Sequence, residues 1–109
     1  MDIQLKKGLL DICVLKCLSK EDSYGYKMIM DISKYIEISE STLYPILKRL
    51  EQANCLETYK EEHNGRLRKY YKITETGRNK LAEFKEEWKK LDKTLKYILG
   101  GKKWKKMNF

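Results

Sequence analysis

One helix-forming stretch near the middle of the chain carries hydroxyl and cationic side chains suited to binding a nucleic acid. In ISESTLYPILKRLEQA, apolar residues recur at Leu43, Ile46, Leu47 and Leu50, which is the spacing of a single buried stripe on a helix. Because a helix turns by about 100° per residue, the opposite side and its flanks hold polar and cationic residues. Such side chains bind phosphates and base edges. The predicted DNA contacts on this helix are Ser41, Thr42, Tyr44, Pro45, Lys48 and Arg49.

A second cationic segment follows this helix and is predicted to be a β-hairpin. CLETYKEE and RLRKYYKI are strand-forming stretches, and the Asn-Gly pair between them favours a tight type I′ turn. Alternation in the second strand predicts a mostly apolar face made of Leu67, Lys69, Tyr71 and Ile73. The other face is basic, and guanidinium groups at a hairpin tip can enter a minor groove or bind phosphates. The predicted DNA contacts on the hairpin are Arg66, Arg68 and Lys69.

The effect of Pro45 on the helix depends on where the helix begins, and the sequence offers two candidate N-cap residues. With Ser41 as the cap, the proline removes a single hydrogen bond, whereas with Ser39 as the cap a bend is expected. In either case an outward proline is a rigid apolar knob that can contact a thymine methyl group.

Two further helices are predicted ahead of this one. Residues 4–18 are apolar nearly all round from Leu9 onward, as expected for a helix packed on more than one side. Residues 24–36 place Met28, Ile29, Ile32 and Ile36 on one stripe. A break of a few residues then leads into the polar-faced helix, which fits a helix-turn-helix followed by a wing.

A long helix is predicted from Thr74 to the glycines at 100 and 101. Its apolar residues follow a coiled-coil spacing and are Leu81, Phe84, Trp88, Leu91, Leu95 and Ile98. The helix should be about 37 Å long, against a diameter of about 29 Å for a globule of the first 74 residues. The overhanging stripe needs cover from a second copy of the chain, from the first helix, or from both.

The bulk composition bounds the class of protein. The 109 residues suffice for one compact domain, or for a small domain with an extension. The net charge of +8 favours a polyanionic partner, although removing the four lysines of the tail GGKKWKKMNF lowers it to +4. No stretch is apolar enough to cross a membrane, so we expect a soluble, cytoplasmic protein. Cys13, Cys17 and Cys55 lack zinc or disulfide spacing and are expected to be reduced core residues.

The same patterns also fit roles besides DNA binding. A polar helix face can be merely solvated, and charge on an edge hairpin can serve only to prevent aggregation. A winged-helix protein-interaction module would show an apolar outward face, against which Lys48, Arg49 and Gln52 argue. The aromatic platform of many RNA-binding proteins is not evident. Catalytic triads and phosphate-binding glycine loops are missing from the sequence, so we expect neither an enzyme nor a bound cofactor or metal.

Four segments, taken in order, resemble the PadR family of bacterial transcriptional regulators. They are GLLDICVLKCLS, SYGYKMI, SESTLYPILKRLEQANCLE and GRLRKYYKITETGR. The LYPxLxRLE and RKYYxxTxxG strings within them are specific in combination. The resemblance spans roughly residues 8–99, and the short final helix is similar to the branch of the family with a one-helix dimerisation arm.

The resemblance implies a homodimeric repressor that binds a palindromic operator. The implied fold is mainly α with a small β-hairpin: a winged helix-turn-helix plus a long C-terminal dimerisation helix. The predicted divisions are residues 1–74 for DNA binding, residues 75–99 for dimerisation and residues 100–109 for a flexible basic tail. The lysine-rich tail departs from the family pattern. Tyr24 and Tyr26 match a YGY element of the family, where the rings are expected to pack and a hydroxyl can touch a phosphate.

The resemblance also implies an effector site. Some small members of the family respond to planar aromatic compounds held between a tryptophan from each final helix, and Trp88 stands at the matching place. Asp92 lies one turn further on and can face a cationic ligand. The alternative is that Trp88 is an ordinary core residue of the seam.

Overall fold

The computed structural model describes residues 1–100, and its architecture is mainly helical with one β-hairpin, as predicted. The elements, in chain order, are α1 (Ile3–Lys20), α2 (Gly25–Ile32), α3 (Glu40–Gln52), β1 (Leu56–His63), β2 (Arg66–Ile73) and α4 (Glu75–Leu99). Of the predicted basic tail, residues 101–109 lie outside the described residues. Among residues 1–100, none of the four helices combines the length and the hydropathy needed to cross a lipid bilayer.

The core lies between α1, α2 and α3 and is closed by the base of the hairpin. The predicted stripe of α3 is confirmed, because Leu43, Ile46, Leu47 and Leu50 are all buried. From α1 and α2 the most buried residues include Val14, Leu15, Leu18 and Met28. Full burial of one such side chain contributes about 1.5–3 kcal/mol, so the stripe of α3 fixes this helix firmly to the body.

The structure shows where α3 begins, and α2 is shorter than predicted. Ser39 is the N-cap of α3, so Pro45 lies inside the helix and cannot donate to the carbonyl four residues back. The helix α2 ends at Ile32, four residues before the predicted end. The Tyr35 N–H donates to the Ile32 carbonyl at 2.9 Å, which tightens the chain into a turn. Ile36 still packs against the core from this turn.

The hairpin of β1 and β2, called the wing below, has the predicted turn. Asn64 and Gly65 both have positive φ, at 52° and 78°, which a type I′ turn requires. The strands pair from Leu56 opposite Ile73 out to His63 opposite Arg66. The expected apolar face is only half realised, because Tyr71 and Ile73 are buried whereas Leu67 is 71% exposed. The strands extend beyond the core, so the residues near the turn of the wing do not pack against the core.

The helix α4 is capped at both ends as the sequence predicts. The Thr74 hydroxyl oxygen accepts from the Gly77 N–H at 3.1 Å, and Gly100 ends the helix with φ 88°. A side chain at Gly77 would collide with the Cys55 carbonyl oxygen, because α4 starts hard against the core.

The predicted overhang of α4 is present. The molecule measures 55 × 25 × 22 Å. Its long axis exceeds the diameter of about 29 Å estimated for a globule of the first 74 residues. Leu81, in the first half of α4, is buried against α1 and the core, while Leu91 and Ile98 in the second half are 43% and 65% exposed. The predicted cover of the apolar stripe by α1 is therefore confirmed for the first half of α4, whereas the second half is not covered within the single chain.

Candidate nucleic-acid interface

The outward side of α3 begins with a cluster of hydroxyl groups. The Ser39 hydroxyl lies 3.0 Å from that of Ser41 and 3.2 Å from that of Thr42, and all three residues are exposed. They stand at the N-terminus of the helix, where free N–H groups and the helix dipole attract anions, while Glu40 adds one negative charge. Hydroxyls in this position can donate to phosphate oxygens or exchange hydrogen bonds with base edges.

Pro45 and Lys48 continue this exposed side toward the C-terminus of α3. Both are exposed, since they lie opposite the buried stripe. Within residues 1–100, the Lys48 ammonium forms no salt bridge, so its charge is available to a polyanion. A lysine on an exposed helix face suits a phosphate contact, because its flexible stem carries a point charge.

Arg49 differs from Lys48, although it is adjacent in sequence. Its guanidinium donates to the Asp11 carboxylate of α1 at 2.5 Å, across 38 residues of chain. The Asp11 side chain is only 17% exposed, so this ion pair ties α3 to α1. The predicted DNA contact of Arg49 stays a prediction, and a phosphate would have to share the guanidinium with Asp11.

Tyr44 lies across the start of α2. Its hydroxyl and ring are so close to Gly25 that a Cβ at position 25 would collide with both. The tyrosine is 47% exposed, so part of its surface remains open to a partner. Gly25 therefore sets the distance between the two helices of the helix-turn-helix, a role that the sequence analysis missed. The only local signal was a glycine at the start of a helix.

The predicted cations of the wing occupy different surroundings. Arg66 and Lys69 are exposed. Arg68 is half-buried, with its guanidinium carbon 3.9 Å from the centre of the Tyr24 ring. The expectation that Tyr24 packs is confirmed, whereas Tyr26 is 65% exposed.

Asp22 and Tyr59 belong to the same part of the surface and were not predicted from the sequence. The Tyr59 hydroxyl donates to the Asp22 carboxylate at 2.7 Å. This hydrogen bond, with smaller contributions from desolvation and nearby negative charge, raises the pKa of Tyr59 to about 12. At pH 7 the Tyr59 hydroxyl is therefore protonated and donates to the Asp22 carboxylate.

The two predicted effector residues lie on α4 beyond the point where it leaves the core. The rings of Trp88 and Phe84 are 5.8 Å apart between centres and tilted by 48°. Asp92 forms a salt bridge of 2.9 Å with Lys96. A cationic ligand at Asp92 would have to compete with Lys96.

A groove of about 730 Å³ opens between α1, α2 and the first half of α4. Its apolar lining includes Cys13, Cys17, Leu81 and Phe84. Burial raises the pKa of the Cys13 and Cys17 thiols, which favours the protonated, apolar form. All three cysteines are free, and Cys55 is buried in the core as expected.

A three-helix core, an exposed polar third helix and a basic hairpin define a winged helix-turn-helix protein. Comparison with known proteins agrees. The profile of the transcriptional regulator PadR-like family matches residues 14–83. The chain belongs to this family, so it is a transcriptional regulator with a DNA-binding winged-helix fold and not an enzyme.

Individual relatives cover from 70% to 91% of the chain. A PadR-like transcriptional regulator from Bacillus cereus superposes with a TM-score of 0.80 at 34% identity, over 91% of this chain and 99% of its own. The transcriptional regulator Rv3488 of Mycobacterium tuberculosis is 26% identical over 99 residues, 90% of each chain. PadR of Bacillus subtilis, solved in complex with operator DNA, shares the fold at 21% identity, with a TM-score of 0.64 over 70% of this chain and 45% of its own.

Proposed function

We propose that this chain is a dimeric, sequence-specific repressor of the bacterial cytoplasm that binds a palindromic operator. The exposed side of α3 carries the proposal, since hydroxyls and Lys48 lie opposite four buried residues. A helix fixed by one face and polar on the other suits insertion into a major groove, whereas a protein-docking helix would show an apolar outward face. The fold shared with Bacillus subtilis PadR, whose structure includes operator DNA, supports the same choice.

In this arrangement the wing contacts DNA beside α3. Arg66 and Lys69 are exposed on β2 and can reach phosphates or a minor groove from the hairpin. Phosphate contacts contribute affinity that depends on salt, and contacts to base edges, from α3 and from the wing in a minor groove, contribute the choice of sequence.

The uncovered half of α4 supports the dimer. Leu91 and Ile98 are exposed on a helix that extends past its own body, at the spacing of a coiled-coil seam. A second copy of the chain covers this stripe and places two α3 helices on one side of the dimer. Two-fold symmetry then calls for half-sites about 34–36 Å apart, or a multiple of that distance.

The effector is proposed to be a planar aromatic compound held between Trp88 and its counterpart in the second copy. Stacking and cation–π attraction between paired indoles contribute about 0.5–2 kcal/mol, which fits weak and broad recognition. A ligand there relieves repression by favouring a different spacing of the two wings. Titration of planar dyes against tryptophan emission tests this site. Emission that changes in wild type but not in Trp88→Phe supports it, and an unchanged wild-type signal contradicts it.

Electrophoretic mobility shifts test the repressor directly. Duplex DNA from upstream of the gene that encodes the protein is compared with random duplex of equal length at the same salt. We expect binding at least about 10³-fold tighter to the upstream DNA. Equal affinity for the two would contradict the proposal.

Sedimentation at micromolar concentration tests the dimer separately. Wild type should sediment as a dimer and Leu91→Lys as a monomer, because the lysine puts charge into the seam. Lys90→Ala, at an exposed neighbouring position, should remain dimeric. A monomeric wild type would contradict the seam.

A further inference from the structure

The segment just before α2 lies alongside the wing and forms backbone hydrogen bonds with it. The Ser23 N–H donates to the Tyr71 carbonyl at 3.2 Å, and the Tyr71 N–H donates to the Ser23 carbonyl at 2.8 Å. This single bridge adds a short third edge to the hairpin at its base. It fixes the part of β2 that is already buried.

Further out, side chains continue the connection between this segment and the wing. The Tyr59 hydroxyl on β1 donates to the Asp22 carboxylate at 2.7 Å. The Tyr59 ring stacks on the Tyr70 ring of β2, with centres 5.4 Å apart and planes within 8°. Tyr70 in turn meets the Tyr24 ring edge-on, at 5.7 Å and 75°. The two strands are thus joined to residues 22–24 through three aromatic rings and one hydrogen bond, here called the tyrosine tether.

The tether also holds a cation. The Arg68 guanidinium lies over the face of Tyr24, 3.9 Å from its centre, which is within the range of a cation–π interaction. A side chain with many rotamers is thereby confined to one region of the wing.

The outer half of the wing has little else to position it. Leu67 is 71% exposed and Arg66 is exposed, so residues near the turn rest on no core. A two-stranded hairpin alone is at best marginally stable in water. The surface contacts of the tether are therefore the ones placed to restrict the angle between wing and body.

We propose that Asp22 and Tyr59 are positioning residues for DNA recognition: through the tyrosine tether they hold the wing at a fixed angle to α2 and aim Arg68 at the duplex. This inference rests on the proposed function, because it requires that the wing contact DNA. Neither residue has to touch DNA itself, since the Tyr59 hydroxyl already donates to Asp22.

The test uses the full-length chain and two variants that break the same hydrogen bond. Tyr59→Phe removes only the hydroxyl and keeps the stacked ring, and Asp22→Ala removes the acceptor. Tyr35→Phe, at a tyrosine 82% exposed in the turn after α2, is the matched control. Amide hydrogen exchange of β1 and β2 is measured without DNA, and affinity is measured for duplexes selected by the wild type and for random duplex at the same salt.

We expect faster exchange in the outer wing of both variants, with α3 unchanged. The preference for selected over random duplex should fall roughly fivefold, as expected for the loss of one hydrogen bond. The salt dependence of binding should not change, because no phosphate contact is lost. The double variant should be no worse than either single one, since both break one interaction.

Three outcomes would overturn the inference. If amide hydrogen exchange in the outer wing of both variants is as slow as in wild type, the hydrogen bond does not restrain the wing. Loss of preference in Tyr59→Phe but not in Asp22→Ala would show that Tyr59 touches DNA itself. Faster exchange in the variants with an unchanged preference for selected over random duplex would contradict only the positioning role. A wild type that shows no such preference would contradict the proposed function itself.

Discussion

The helix α3 and the wing both carry exposed cations but are held in place by different means. Four residues of α3 are buried, so its exposed side is as rigid as the core. In the wing only the residues nearest the base are buried, and the rest is positioned by the tyrosine tether. The reading of base edges needs a set geometry, which burial supplies for α3 and the tyrosine tether supplies for the wing.

The largest expected difference between the two regions is in stability. Leu47→Ala, on the buried stripe of α3, should lower the free energy of unfolding by about 2–5 kcal/mol, because it removes core contacts and leaves a cavity. Leu67→Ala, on the exposed outer wing, should change it by less than about 0.5 kcal/mol. Urea denaturation measures both. A large loss in Leu67→Ala would mean that the wing has a core of its own or a partner.

Gly25→Ala probes the contact between α2 and α3. The added Cβ meets the Tyr44 hydroxyl and ring, so we expect a loss of about 1 kcal/mol in stability and roughly tenfold weaker binding to selected DNA. In a Tyr44→Ala background the collision is gone, and the same change should be neutral or stabilising by up to about 1 kcal/mol. A double-mutant cycle measures this reversal. Equal effects in both backgrounds would show that Gly25 does not act through Tyr44.

Lys48→Ala tests whether the exposed side of α3 meets phosphate. The slope of log affinity against log salt should decrease by about one, with selected and random duplexes weakened alike. Lys90→Ala on α4 is the matched control and should leave the slope unchanged. An unchanged slope in Lys48→Ala, with loss of affinity for selected DNA only, would reassign Lys48 to a base contact.

The smallest expected effect concerns the pH dependence of the tether. Because its hydrogen bond to Asp22 raises the pKa of Tyr59 from 10.0 to about 12, the neutral phenol stabilises the fold below pH 10. That contribution is lost as the pH rises from about 10 to about 12. Phenolate absorbance should show Tyr59 titrating late in wild type, beside Tyr71, whose pKa is raised by burial. The contribution of Tyr59 should be absent in Tyr59→Phe and shifted toward 10 in Asp22→Ala. Identical late titrations in wild type and Tyr59→Phe would contradict the assignment.

The predictions that succeeded from sequence depended on short-range signals. The stripe of α3 follows from the spacing of Leu43, Ile46, Leu47 and Leu50, and the turn follows from the adjacent Asn64 and Gly65. Each signal lies within a few residues and reflects backbone geometry or helix periodicity. The capped ends of α4 were predictable for the same reason.

The features that the sequence analysis missed join residues far apart in the chain. Arg49 and Asp11 are 38 residues apart, and Tyr59 and Asp22 are 37 apart, so no local pattern marks either pair. The contact of Tyr44 with Gly25 likewise requires the packed arrangement of two helices. The exposure of Leu67 was missed because alternation predicts a face but not how far the core extends beneath it.

Hydroxyl-radical footprinting of the operator tests the central claim most directly, since it reports both the site and the symmetry of the complex. We expect two protected segments related by the palindrome, with centres about 10–10.5 base pairs apart or a multiple of that spacing. The same pattern should fade in Lys48→Ala at matched concentration. Uniform protection along the duplex, or one protected segment without a symmetric counterpart, would contradict a dimer that inserts two α3 helices into successive grooves.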